Sequence, residues 1–312
     1  KAIGEILTAT PEGTDVILLS DHGFGPLYHN IYLNNWLVKH GYLKLKRDLG
    51  TLFKRVMYKF ALTPANIYNI MGKFGFLNKG LKLGKEQRYS LVGRFFLSNK
   101  NIDWKKTKAY SYGNIGQIYI NTLGREPGGS VAPGDKETVT AEIIAKLKET
   151  RNPFTGEPLF EHIYTKEELY SGAKLEEAPE ILILPKNLEA MAVGASEFVS
   201  NKIVERSFAF TGGHRMEGIF MASGPQIDKN KEIKGSRIID LFPTILYSMG
   251  LDIPKDSDGH ILDIFSPGLK ENKPPQYFDP EEMEKPGPDT TAFSDDEEEG
   301  VKNKLEDLGY VT

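Results

Sequence analysis

The chain has 312 residues, 39 % hydrophobic and 26 % charged, with a formal net charge of −4 and no cysteine. This is the composition of a globular protein with a sizeable core. It excludes disulfides, thiolate metal sites and cysteine nucleophiles, and its charge balance is not that of a general nucleic-acid binder. No apolar run approaches the roughly 20 residues that span a bilayer, and the opening KAIGEILTATPEGT lacks the apolar core of a signal peptide, so a cytoplasmic location is the expectation. The chain starts at Lys1 in what reads as the middle of an α/β unit, which suggests a fragment or a processed chain.

In chain order, DVILLS (15–20) is apolar throughout and bounded by Gly13 and by Asp21-His22-Gly23, which predicts a buried strand of parallel type. From Ile31 to His40, Leu33, Trp36, Leu37 and His40 recur at helical spacing, with a stop at Gly41. Residues 51–100 predict mainly helix, interrupted by Pro64, Gly72, Gly75, Gly80 and Gly84. The run AYSYGNIGQIYIN (109–121) is rich in β-branched and aromatic residues and predicts strand, closed by the turn REPGG. Pro133 and Gly134 introduce a helix with Val139, Ile143, Ile144 and Leu147 on one face. EILILP (180–185) and GIFMAS (218–223) predict two more buried strands. Asp240 reads as the N-cap of a helix with Pro243 in its first turn, Leu241, Ile245, Leu246 and Met249 inward, and Gly250 at its end.

Strands alternating with helices imply an α/β protein with a doubly wound, mostly parallel sheet, helices on both faces, and a mainly helical basic insertion. The expected boundaries are a first strand–helix unit at 1–46, the insertion at 47–107, the remaining α/β domain at 108–270, and an acidic, proline-rich tail with a short C-terminal helix at 271–312.

Charge is unevenly spread. Lys39 to Lys108 holds seventeen Lys or Arg against Asp48, Glu86 and Asp103, among many aromatic residues, whereas Asp279 to Glu299 holds ten acids against Lys285. The acidic stretch predicts a solvated tail. The basic stretch fits a solvated helical face, a surface for phosphate-bearing substrates or an anionic membrane surface, or a dock for the acidic tail. No specific nucleic-acid motif is present.

Two motifs carry chemistry. Ser20-Asp21-His22-Gly23 lies at the carboxyl end of a strand, where open α/β sheets place ligands. Its adjacent carboxylate and imidazole suit a divalent cation such as Zn²⁺ or Mn²⁺. Gly212-Gly213-His214-Arg215-Met216-Glu217-Gly218 places a second histidine in a glycine-bounded loop before a core strand. Each motif alone fits a surface histidine or a capping aspartate equally well.

In this order the two motifs resemble the type I phosphodiesterase/nucleotide pyrophosphatase family of the alkaline phosphatase superfamily. The resemblance rests on VILLSDHGFGP, GGHRMEGIFMASGP and DLFPTILYSMGLDIPKDSDGHIL, with YSYGNIGQIYIN and the closing LEDLGYVT also similar. It implies a site of two divalent metals, usually zinc, with manganese as the alternative. In it Asp21 and His22 hold one ion, His214 holds the other, and a phosphoester is the substrate. It also implies a Thr or Ser nucleophile that forms a phospho-enzyme. In the family that nucleophile and further ligands lie upstream of the Asp21 motif, where only twenty residues are present. Thr8, Thr10 and Thr14 do not fit the role, so the chain reads as the C-terminal portion of the enzyme, lacking the N-terminal half of its domain and inactive alone.

Arg215 and Glu217 flank the second histidine and are expected to pair with each other, or to orient the ligand or meet substrate. Asn114 and Gly116 are candidates for a pocket wall. His40 is expected to pack, His29, His162 and His260 to lie at the surface or behind ligands, and DSDGH (256–260) to be a structural turn rather than a calcium loop. A sulfatase or phosphoglycerate-mutase-like enzyme of the same superfamily, or a non-catalytic anion-binding module, are the alternatives.

Overall fold

The computed structural model describes residues 1–73, 95–194, 198–207 and 210–280. The central part of the basic stretch, the acidic tail beyond Pro280 and its expected short C-terminal helix lie outside the described residues. Helices along the chain are α1 (Ala2–Ala9), α2 (Leu33–Lys39), α3 (Leu49–Lys59), α4 (Pro64–Lys73), α5 (Lys136–Lys148), α6 (Lys166–Leu169), α7 (Leu241–Ser248) and α8 (Pro267–Asn272). The strands are β1 (Val16–Leu19), β2 (Gly23–Pro26), β3 (His29–Tyr32), β4 (Ala109–Ser111), β5 (Gln117–Ile120), β6 (Phe160–Thr165) and β7 (Ile181–Pro185). They continue with β8 (Ala190–Val193), β9 (Val204–Arg206), β10 (Gly212–Arg215), β11 (Phe220–Ser223), β12 (Ile253–Pro254) and β13 (Tyr277–Phe278). The chain divides into two units, one of Lys1–Asp21 with Ile219–Thr312, the other of His22–Gly218.

Besides the two-stranded β2–β10 pair, the larger unit holds two sheets. In one, β3 runs parallel to β8 and antiparallel to β9. The other has the order β4-β5-β7-β6 with every neighbour antiparallel. The periodic residues of α2 are buried as their spacing predicts: Leu33, Trp36 and Leu37 lose all contact with solvent. The Trp36 indole also donates from Nε1 to Thr150 Oγ1 at 2.9 Å, which satisfies its one polar atom. Gly41 ends the helix with φ +81°, a left-handed conformation that glycine adopts without strain.

Two asparagines of the same helix are buried and stitch it to the strands. Asn34 exchanges hydrogen bonds with the Ser111 backbone (3.0 and 2.9 Å), and Asn35 Nδ2 donates to the carbonyls of Ser200 and Lys202. In α5, Val139, Ile143 and Leu147 form the predicted inward face. In β7, Ile181, Ile183 and Pro185 are buried.

In the smaller unit β1 and β11 pair antiparallel, Val16 facing Ser223 and Leu19 facing Phe220. The Asp15 carboxylate locks this pair by accepting from Gln226 N (3.1 Å) and Gln226 Nε2 (2.6 Å). Ile227, Tyr247, Ile253, Leu262, Ile264 and Phe265 form its core. Helix α1 buries none of its residues.

The structure corrects four expectations. The described sheets are mixed α/β and mostly antiparallel, and no doubly wound parallel sheet is formed by the described residues. DVILLS is half-buried rather than sealed, with Leu19 exposed. A four-residue apolar run reports its own hydrophobicity and not the direction of a partner some 200 residues away. Residues 109–121 form a hairpin of two strands, because Gly113 and Gly116 take φ near +80° and turn the chain back. A side chain at Gly116 would also strike the Ile183 carbonyl. Asp240 makes no capping bond into α7. Its buried carboxylate accepts from the backbone N–H of Arg237 (2.8 Å) and of His260 (3.0 Å), with His260 Nδ1 at 2.8 Å, and so pins the 256–260 turn. Burial opposes ionisation of Asp240, yet these two N–H groups and the neighbouring charges hold its carboxyl below the ordinary range.

Candidate functional site

The site is built by β2 and β10, which pair antiparallel with His214 opposite Phe24 and Arg215 opposite Gly23. The glycines of both motifs are spatial requirements. A side chain at Gly23 would overlap the Glu217 carbonyl, one at Gly25 the Arg215 guanidinium, and one at Gly212 the Phe24 ring. At Gly23 this is a close approach of two backbones, and at Gly25 and Gly212 the glycine leaves room for a side chain of the facing strand.

That approach brings together two imidazoles 192 positions apart in the chain. The rings of His22 and His214 stack with centroids 3.7 Å apart and planes 19° apart. His22 Nδ1 lies 2.8 Å from the Gly23 carbonyl. A carbonyl accepts only, so Nδ1 carries the proton and Nε2 is the lone-pair nitrogen. This fixing of one ring nitrogen by a backbone acceptor is the arrangement that orients a metal-ligating histidine. Lone pairs lie in the ring plane, so two nearly parallel rings do not converge on one ion. They suit two ions separated by about the ring spacing, and catalytic metal pairs stand roughly 3.5–4 Å apart. On that geometry the two rings would supply one nitrogen each to separate ions. Among the described residues no group of three or more His, Cys, Asp and Glu side chains gathers in one place.

Asp21 is exposed and is the last residue of the smaller unit's first segment. Arg215 departs from expectation: it donates from Nη1 to the carbonyls of Leu188 (2.7 Å) and His214 (2.9 Å) and from Nη2 to that of Pro26, and not to Glu217. The guanidinium crosses β2 over Gly25, so backbone oxygens meet its donors before the exposed Glu217 carboxylate does. Leu188 and Asn187 hold φ of +52° and +54° in presenting this stretch of chain to Arg215. Such a conformation is costly for leucine. Asn114 is exposed in the turn between β4 and β5, in a different sheet from the imidazoles, and the Gly116 beside it is buried against Ile183.

The other histidines have structural partners. His40 packs on Trp36 with rings 4.1 Å apart, as its place on the apolar face predicts. His29 stacks on Phe154, and His162 on Tyr164. Sequence reasoning missed Phe24. Its ring is 72 % exposed and 6.5 Å from that of His214, and the signal that could have found it is a large apolar residue directly after the DHG triplet.

The chain is a member of the type I phosphodiesterase / nucleotide pyrophosphatase family, whose model matches residues 1–193. The matched span contains Asp21, His22 and Asn114 and ends before His214. The family implies phosphoric ester hydrolase chemistry and an alkaline phosphatase-like fold. No curated protein and no solved structure matches the chain. Among the described residues no helix is long and apolar enough to cross a membrane.

Proposed function

We propose that this chain supplies metal-holding residues to a two-metal phosphodiesterase or nucleotide pyrophosphatase-like hydrolase, within an alkaline phosphatase-like catalytic domain. The observation that carries the reading is the His22–His214 stack. His22 would hold one ion through Nε2 and His214 the other. Asp21 joins this assignment on the strength of the sequence motif. When bound, such ions, zinc or manganese, neutralise the phosphoester and stabilise the entering and leaving oxygens. The chain's own contribution is to keep both imidazoles oriented. The Gly23 carbonyl fixes the His22 tautomer, and Arg215, by tying Leu188, His214 and Pro26 together, holds β10 against β2.

The nucleophile is expected outside these residues, as the family pattern has it. Thr8 and Thr10 are unsuited, because their hydroxyls donate to the carbonyls of Gly4 and Ile6 one turn earlier. The expected result is that the chain, supplied with Zn²⁺ or Mn²⁺, hydrolyses bis(p-nitrophenyl) phosphate no faster than the metal alone. It should bind Zn²⁺ weakly in calorimetry, and the binding should fall in His22→Ala and in His214→Ala. Turnover that vanishes in His214→Ala would overturn the assignment of the nucleophile, and Zn²⁺ binding unchanged in both variants would overturn the metal reading.

A further inference from the structure

Helix α3 sits the wrong way round for an ordinary amphipathic helix. Its apolar face, made by Leu49, Leu52, Phe53 and Val56 and continued by Phe60 at the C-cap, covers an arc of about 100° at 3.6 residues per turn. Every one of these side chains is exposed, Leu49 at 86 %, Phe53 at 64 % and Phe60 at 73 %. The opposite, narrower face is the one that packs. Thr51 is buried, bonded to the N-cap Asp48 and accepting from Asn101 Nδ2 at 2.9 Å. Tyr58 lies edge-on to Phe198, with centroids 6.0 Å apart. The helix is therefore anchored near both ends, with its apolar stripe turned outward.

The charges around the stripe are one-sided. From Lys44 to Phe60 there are six Lys or Arg and one acid, Asp48, which is occupied in capping. Lys59 and Arg55 flank the stripe on one side, and Lys54 follows the half-buried Met57 on the other. Long basic side chains beside a solvent-facing stripe of Leu, Val and Phe are the signature of a helix lying in a membrane interface. There the stems lie along the apolar boundary while the heads meet anionic headgroups. Nucleic acid would use the charges but not five large apolar side chains.

We infer that α3 is an interfacial helix that seats this unit on an anionic lipid surface, with Leu49, Leu52, Phe53, Val56 and Phe60 in the acyl boundary and Arg47, Lys54, Arg55 and Lys59 against the headgroups. The inference is independent of the hydrolase reading, since no site residue takes part.

The test is co-sedimentation of the full chain with unilamellar vesicles of phosphatidylcholine alone or with phosphatidylserine added. Binding is expected to the mixed vesicles and to fall with salt. Each basic residue at such a surface contributes about fivefold in affinity, so Lys54→Gln with Arg55→Gln should lower it by roughly tenfold or more. Phe53→Ser with Phe60→Ser, both at exposed positions, should abolish it without changing the circular dichroism. The chain has no cysteine, so an environment-sensitive dye on Val56→Cys reports this position alone. Its emission should shift to the blue on mixed vesicles, whereas the same dye on Asp135→Cys should not respond. Failure to sediment with either vesicle, binding indifferent to the serine pair, or a dye at 56 that stays in water would each overturn the inference. So would retention of DNA or of an acidic peptide in preference to vesicles.

Discussion

The two units use similar apolar sequence to opposite ends. The larger one builds a continuous core from Ile31 through Trp36, Ile118 and Ile143 to Val204 and leaves apolar side chains exposed mainly on α3 and at the turns. The smaller one closes a core around Tyr247 and Phe265 but leaves Ile3, Ile6, Leu7, Ile219, Met221 and Met249 about half exposed or more. β1 and β7 illustrate the difference. Both are runs rich in Ile and Leu, yet among the described residues β7 has a neighbour on each edge and buried alternate residues, whereas β1 pairs with β11 alone. Apolar sequence creates the demand for burial, and strand neighbours decide whether it is met.

The largest expected effect falls on the sealed core. Trp36→Ala removes a side chain with no solvent exposure and leaves Thr150 without its indole partner, and should cost about 3–5 kcal/mol. Hydrogen exchange followed by peptide mass spectrometry should show lost protection across 29–43 and 109–120, while peptides 220–265 keep theirs. Equal loss in both sets would show that the two cores do not unfold separately.

A smaller effect is expected in the other unit. Asp240→Ala deprives the backbone N–H groups of Arg237 and His260 of their acceptor and should cost about 1–3 kcal/mol. The loss should be read as protection lost at 237–262, with 29–43 unaffected. Protection unchanged at His260 would mean that the 256–260 turn is held by other contacts.

The smallest effect is a pH dependence confined to the larger unit. Burial, and then the Arg206 charge, push the His29 imidazole below its ordinary range, against a weaker upward pull from Glu189. The unfolded chain therefore takes up this proton first. Stability is full above the unfolded value of about 6.5 and is lost as pH falls from there through the lower folded value. His29→Phe, which can keep a ring on Phe154, should flatten the change in urea midpoint between about pH 7.5 and 5.5. A variant with the same slope as the parent would assign the dependence elsewhere.

Much of the larger unit was legible in order along the chain. Leu33, Trp36 and Leu37 announce α2, Val139, Ile143 and Leu147 announce α5, and EILILP announces β7, because local periodicity and the stops at Gly41 and Pro185 are properties of neighbouring residues. The buried Asn34 and Asn35 were not legible, since an asparagine is polar wherever it stands and only a facing backbone makes its burial tolerable. The Arg215–Glu217 pair was expected from proximity in sequence, yet the carbonyls of Leu188 and Pro26, from distant segments, and of the neighbouring His214 took the guanidinium instead.

The sequence by itself determined the family, the two histidine motifs and the helices whose apolar residues recur locally. The tertiary structure decided that strands mostly pair antiparallel, that His22 and His214 lie ring on ring, and that α3 turns its apolar face outward. The physical reason is range. Propensity and periodicity act over a few residues, whereas strand direction, ring stacking and the choice of packed face depend on backbone brought in from far along the chain.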